Sequence, residues 1–183
     1  MHQAPILDEP SREALRQAAA ALDAAEQRGQ PFEMSQALAR VARCHRTLGA
    51  LASAESFLET ALRWARVVGS TDLRVDLLCE LCESAERLAQ SLDAQEPGSG
   101  HPARERARDH AFEASTLAGR VADPAWEVTV LLRISDVLNH CGDHDDAAQL
   151  QSRAMHLLAG DQAVDCTPRD HRLLPAPAGL ADG

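Results

Sequence analysis

Apolar residues recur at spacings of three and four through most of the chain, which predicts helices with one buried face. Leu38, Val41, Ala42, His45 and Leu48 form one such set. The same spacing returns 40 residues later as Leu78, Leu81, Cys82, Ala85 and Leu88, and again as Leu131, Ile134, Ser135, Leu138 and Cys141. Each set holds one small member, Ala42, Cys82 or Ser135, that lets a neighbouring helix approach closely. Other helices carry alanines seven residues apart: Ala14 and Ala21, Ala54 and Ala61, Ala107 and Ala114, Ala147 and Ala154. Successive pairs are 40, 53 and 40 residues apart, so one step of the period carries 13 extra residues. Those residues have a place in SLDAQEPGSGHPA, 91–103, whose glycines and prolines predict a loop insertion.

Breaks and caps divide the chain in the same way. Pro10, Pro31 and Pro124 stand near helix starts, where a missing N–H costs little. Asp123 is placed to cap the helix that Pro124 opens. Gly29, Gly69 and Gly160 stand where helices should stop, and Gly49 and Gly142 in tight interhelix turns. The pattern predicts seven helices, over 10–28, 32–48, 52–68, 72–90, 103–121, 124–141 and 144–159. Residues 1–9 and 160–183 read as tails around a helical repeat domain of 10–159. The second tail is expected to be flexible, with Leu173 and Leu174 able to fold back on the last helix.

This pattern resembles the tetratricopeptide repeat family, in the longer-period form common in bacterial regulators and scaffolds. The resemblance rests on the small residue of each first helix, the turns LG and CGD, and the alanine pair of each second helix. GDHDDAAQLQSRAM is the best match, and VARCHRTLGALASAESFLETAL is nearly as good. His45, Ala85 and Leu138 replace the aromatic often found in the first helix, and the proline that often closes each repeat is missing. The resemblance implies an all-α, right-handed α-solenoid of about three and a half hairpins. The N-terminal helix is then the second half of a repeat whose first half is absent.

The resemblance also implies a concave groove lined by first helices that binds a partner segment. Carried over by register, its positions are Gln36, Ala39, Arg43, Arg46 and Thr47; Asp76, Cys79, Glu83, Glu86 and Arg87; and Thr129, Leu132, Asp136, Asn139 and His140. The first row is basic and the other two acidic, which favours a partner segment with basic residues. The family's clamp for a C-terminal carboxylate is not matched, because the chain has no lysine and no groove asparagine in register with Arg43 and Arg46. The expected role is a non-catalytic adaptor. The alternatives are a self-assembling structural module, joined through a terminal helix, and a thiol or metal sensor.

Composition narrows the partners. Apolar residues make up 45% and aromatics 3%, and the formal net charge is −10. An acidic chain without a basic run repels phosphate, so neither nucleic acid nor an anionic membrane is an expected partner. MHQAPILDEPSREAL lacks the cationic start and apolar stretch of a signal peptide, so a cytoplasmic protein is expected.

Little catalytic chemistry is legible. CELC, Cys79 to Cys82, has the spacing of redox and zinc motifs, yet lies mid-helix beside Glu80 and Glu83, where thiolates are disfavoured. His140 and His144 straddle Gly142, and no HExxH pair occurs. Nucleophile elbows, phosphate loops and dinucleotide fingerprints are absent. The expectation is therefore no enzyme activity, no metal and no cofactor.

Overall fold

A computed structural model of the protein describes residues 9–165. They form seven α-helices: α1 (Glu9–Arg28), α2 (Pro31–Thr47), α3 (Leu51–Val68), α4 (Thr71–Asp93), α5 (His101–Ala118), α6 (Pro124–Cys141) and α7 (His144–Asp165). Each packs chiefly on its chain neighbours, and α4 also touches α6. The protein is thus an all-α helical repeat, with α2, α4 and α6 as first helices of successive hairpins. Of the expected tails, 1–9 and 160–183, residues 1–8 and 166–183 fall outside the described residues, as do Leu173 and Leu174, while Glu9 opens α1 and residues 160–165 continue α7.

The hairpins close on small residues. Ala54, Ala61, Ala107, Ala114, Ala147 and Ala154 are all fully buried. So are Ala42, Cys82 and Ser135, the small members of the first helices. Helices meeting through alanine approach so closely that polar atoms bridge them directly. Ser35 Oγ donates to the Ala61 carbonyl at 2.9 Å, and Cys82 Sγ to the Ala107 carbonyl at 3.3 Å. Larger side chains, Leu58, Leu78, Leu81, Leu131, Ile134 and Leu138, fill the space between successive hairpins.

The first alanine pair behaves differently. Ala14 is exposed and Ala21 half-buried. Ala18 and Ala25 face α2 instead. The 40-residue period still holds in α1, since Ala18 and Ala25 correspond to Leu58 and Ala65, both buried. What is absent among the described residues is a helix before α1 to cover Ala14 and Ala21.

Four boundaries depart from the sequence pattern by two residues or more, one of them the end of α5 at Ala118 rather than 121. Helix α4 runs on to Asp93 and α5 begins at His101, so the loop is shorter than 91–103. Asp93 explains how a stretch rich in glycine and proline closes so tightly. Its Oδ1 accepts from Gly98 N at 3.1 Å and Gly100 N at 2.8 Å, and its other oxygen pairs with Arg104. These bonds to the charged form hold the Asp93 carboxyl below the usual range, the Arg104 bond foremost. A side chain at position 100 would meet the Ala89 carbonyl at 2.3 Å, so only glycine lets the loop turn there. Helix α7 continues to Asp165 through Gly160, which does not adopt the left-handed backbone that ends α6 at Gly142. At the start of α6, Asp123 accepts from Trp126 N at 3.0 Å, as its position before Pro124 predicts.

The alanine contacts yield a direct test. Ala61→Leu forces three extra heavy atoms into the α2–α3 contact and should cost about 2 kcal/mol or more in urea unfolding. Ala14→Leu, on the open side of α1, should shift stability by less than about 0.5 kcal/mol. Equal effects of the two substitutions would contradict the packing described.

Candidate partner-binding face

Helices α2, α4 and α6 present their side chains to one surface, because ion pairs run from α2 to α4 and from α4 to α6. Arg43 Nε donates to both oxygens of Glu80 at 3.0 and 3.1 Å, and Nη2 donates at 2.7 Å. Arg46 bonds Glu83 at 3.1 Å and lies 3.8 Å from Glu80. Arg133 reaches Glu83 from the other side. Further along, Glu86 lies 3.9 Å from His140 and accepts a bond from Gln90. Two arginines of α2, three glutamates of α4, and one arginine and one histidine of α6 therefore form a charge ladder across the face.

The ladder changes the electrostatics expected from the sequence. The basic row of α2 and the acidic row of α4 neutralise each other. Glu80 and Arg133, which lie outside the sequence-derived positions, are central to it. Both were hidden because register places Arg43 beside Glu83, whereas the structure joins it to Glu80, one turn away. Arg43 is held more firmly protonated by its bond to Glu80, against the cost of burial. Burial is the largest influence on Arg133 and works against its charge, but the bond to Glu83 together with the nearby charges of Glu83 and Glu80 raises its pKa.

Of the other positions assigned by register, Ala39, Cys79 and Glu86 are buried. Helix α4 is covered by α3, α5 and α6, so more of its circumference is enclosed than that of α2. Gln36, Thr47, Asp76, Arg87, Thr129, Leu132, Asp136 and His140 are exposed, and Asn139 is half-buried. The Asn139 side chain lies 3.2 Å from the His144 ring.

Between α2 and α4 the face opens into a cleft of about 250 Å³. Gln36, Ala39, Arg40, Arg43, Leu73, Asp76, Leu77 and Glu80 line it. Asp76 and Glu80 stand one helical turn apart there, with different surroundings. Glu80 is tied to Arg43 and Arg46, whereas Asp76 has no ion-pair partner among the described residues. Asp76 keeps contact with solvent, yet the walls of the cleft partly desolvate its carboxyl and raise its pKa, opposed by Arg133 and reinforced by Glu80 and Asp72.

The cysteines of CELC occupy the interior. Cys79 and Cys82 are both buried, and burial is the main cause that pushes the Cys79 thiol up to about 12 and Cys82 higher still. Among the described residues, no group of three or more His, Cys, Asp or Glu is placed to hold a metal ion. No helix among them is long and apolar enough to cross a membrane.

The fold and this face define a class, an all-α helical repeat with a charge-laddered surface on its first helices. No protein-family model matches the chain, and no curated protein matches it. Among solved structures it is similar to a DHF58 filament, at 26% identity over 85% of this chain and 82% of that one, with a TM-score of 0.46. It is also similar to BtubC (BKLC) from P. vanneervenii, at 18% identity over 95% and 80% of the two chains, with a TM-score of 0.37. Both likenesses are loose, and neither bears on what the face binds.

Two outcomes test this geometry. Arg43→Ala leaves the buried Glu80 carboxylate with only the more distant Arg46. Solvent screens the half-exposed arginine, so the cost should be about 1 kcal/mol in urea unfolding. Arg43→Lys should recover only part of it, lacking the planar fork. In thiol titration of the native protein at pH 8, Cys79 and Cys82 should stay unreactive until the chain unfolds. Fast reaction of either in the folded state would revive a thiol-sensing role.

Proposed function

We propose that the protein is a non-catalytic, tetratricopeptide-like adaptor that holds a segment of a partner protein along the face of α2, α4 and α6. The observation that carries this reading is the α2–α4 cleft, where an unpaired, partly desolvated Asp76 sits beside carboxylates already neutralised by arginine. A partner's cation gains most at such a group, because no internal ion pair has to be broken first. Asp136 on α6 is a second exposed carboxylate of the face without an ion-pair partner among the described residues. Leu132, 43% exposed, supplies apolar surface one turn before it. The partner segment thus carries cationic groups matched to Asp76 and Asp136, with an apolar residue between them.

The tetratricopeptide assignment is supported by the 40-residue period, by the buried small residues of α2, α4 and α6, and by the buried alanine pairs of α3, α5 and α7. The adaptor reading is supported by the stiffness of the face. Arginine forks cross-link its helices, so a ligand meets a surface that is already ordered.

Asp76→Arg and Asp136→Arg test the reading without breaking the ladder. Reversal of Glu83 or Glu86 would break internal pairs and confuse loss of binding with loss of fold. Partners captured by the wild-type chain and identified by mass spectrometry should bind each aspartate variant at least tenfold more weakly, with unchanged circular dichroism. Undiminished binding of every captured partner would defeat the assignment. Binding should also strengthen as pH rises. The Asp76 pKa lies above the ordinary 3.8 in the free protein, and a bound cation lowers it, so complex formation releases protons. The same shift means that ionised Asp76 opposes folding. Its favourable contribution is complete below 3.8 and is lost as pH rises through the folded-state value, so Asp76→Asn should stabilise the free protein at neutral pH.

A further inference from the structure

Both ends of the helix array are open, and the 40-residue period shows what each end is built to meet. Within the array, Leu58, Leu62 and Ala65 of α3 lie under α4, and Ala111, Ser115 and Ala118 of α5 lie under α6; all six are buried. Their counterparts on α7 are Gln151, Met155 and Leu158. Met155 is 63% exposed and Leu158 46%, since among the described residues α7 packs chiefly on α6. At the other end, among the described residues, α1 packs chiefly on α2. Ala14 and Ala21 correspond to alanines that are fully buried in α3, α5 and α7, yet Ala14 is exposed and Ala21 half-buried.

We propose that these two faces bind each other between copies of the chain, α7 of one copy lying antiparallel against α1 of the next. Three observations point to a second copy. First, each open face has internal counterparts that are covered by an antiparallel helix, and among the described residues the two terminal helices are the ones left with such a face. Second, the shapes match: α7 presents the long side chains Met155 and Leu158, while α1 presents Ala14, Ala21 and the half-buried Ala24, into which they fit. Third, antiparallel packing brings the acidic start of α7, where Asp145 is exposed and outside the ion pairs of the described residues, to the end of α1 that carries Arg28, now paired with Glu33. The contact is heterologous, so it leaves a free α1 face and a free α7 face after every addition and does not stop at two copies. It is independent of what occupies the α2–α4–α6 face.

A complementation experiment on the full chain tests it by light scattering over a wide concentration range. The wild-type chain should grow beyond a dimer as concentration rises. Met155→Glu and Ala14→Arg each disable one end, so each variant alone should stay monomeric. Their equimolar mixture should form a heterodimer and stop there, because only one compatible pair of faces remains. Both substituted residues are exposed, and unchanged circular dichroism verifies folding; Leu158→Glu and Gln17→Arg act as second variants on the same two faces. A wild-type monomer at every concentration overturns the proposal, as when another part of the chain covers α7. Self-association of Ala14→Arg alone would instead show α7 pairing with α7, of Met155→Glu alone α1 with α1, and either result overturns it. A mixture that remains monomeric does so as well.

Discussion

The structure depends on alanine at the contact between the helices of each hairpin. Where Ala54, Ala61, Ala107, Ala114, Ala147 and Ala154 meet the preceding first helix, there is no room for a larger side chain, and backbones come close enough for Ser35 and Cys82 to reach carbonyls across the gap. Dispersion and burial act over a long, narrow strip. The strip contributes little free energy per residue, so leucines between successive hairpins supply most of the apolar burial. That division of labour explains a core almost free of aromatic side chains. It also explains why the repeat tolerates extra residues between α4 and α5, since neither the alanine strip nor the leucine layer passes through that loop.

The charge ladder is a consequence of the same geometry. Close hairpins bring α2, α4 and α6 near enough for arginine to span from one first helix to the next. Glu80 is almost buried and accepts a bidentate arginine, which makes it a specific link rather than a surface ion pair. Most of the charge on the face is consumed in holding the face together. In the proposed adaptor role, what remains for a partner is the small set of groups the ladder leaves out, chiefly Asp76 and Asp136. The acidic character read along α4 thus describes the scaffold more than the ligand.

The CELC pair and the aspartate-rich turn GDHDD show how composition can mislead about chemistry. Cys79 and Cys82 are buried, Cys82 against the Ala107 carbonyl of α5, and burial holds their thiols protonated. Asp143 and Asp146 beside Gly142 lie within reach of Arg108. They fasten the start of α7 to α5, which is a structural task.

Periodicity, with the proline and glycine breaks, determined the number and order of the helices, the pairing into hairpins and the buried alanines of α3, α5 and α7, and the position of Asp123 before Pro124 determined the cap. These features are local or repeat at a fixed interval, and a single side chain's size or hydrogen-bonding capacity reports them. Only the tertiary structure decided which charges meet, that Asp93 closes the loop before α5, that α7 runs through Gly160, and that Ala14 and Ala21 are left uncovered. Each of these depends on a partner distant in sequence or on a helix that is not there. A one-turn offset between Arg43 and Glu80 is invisible to register, yet it moves the free charge of the face from Glu83 to Asp76, because an ion pair forms where side-chain lengths and helix spacing allow it.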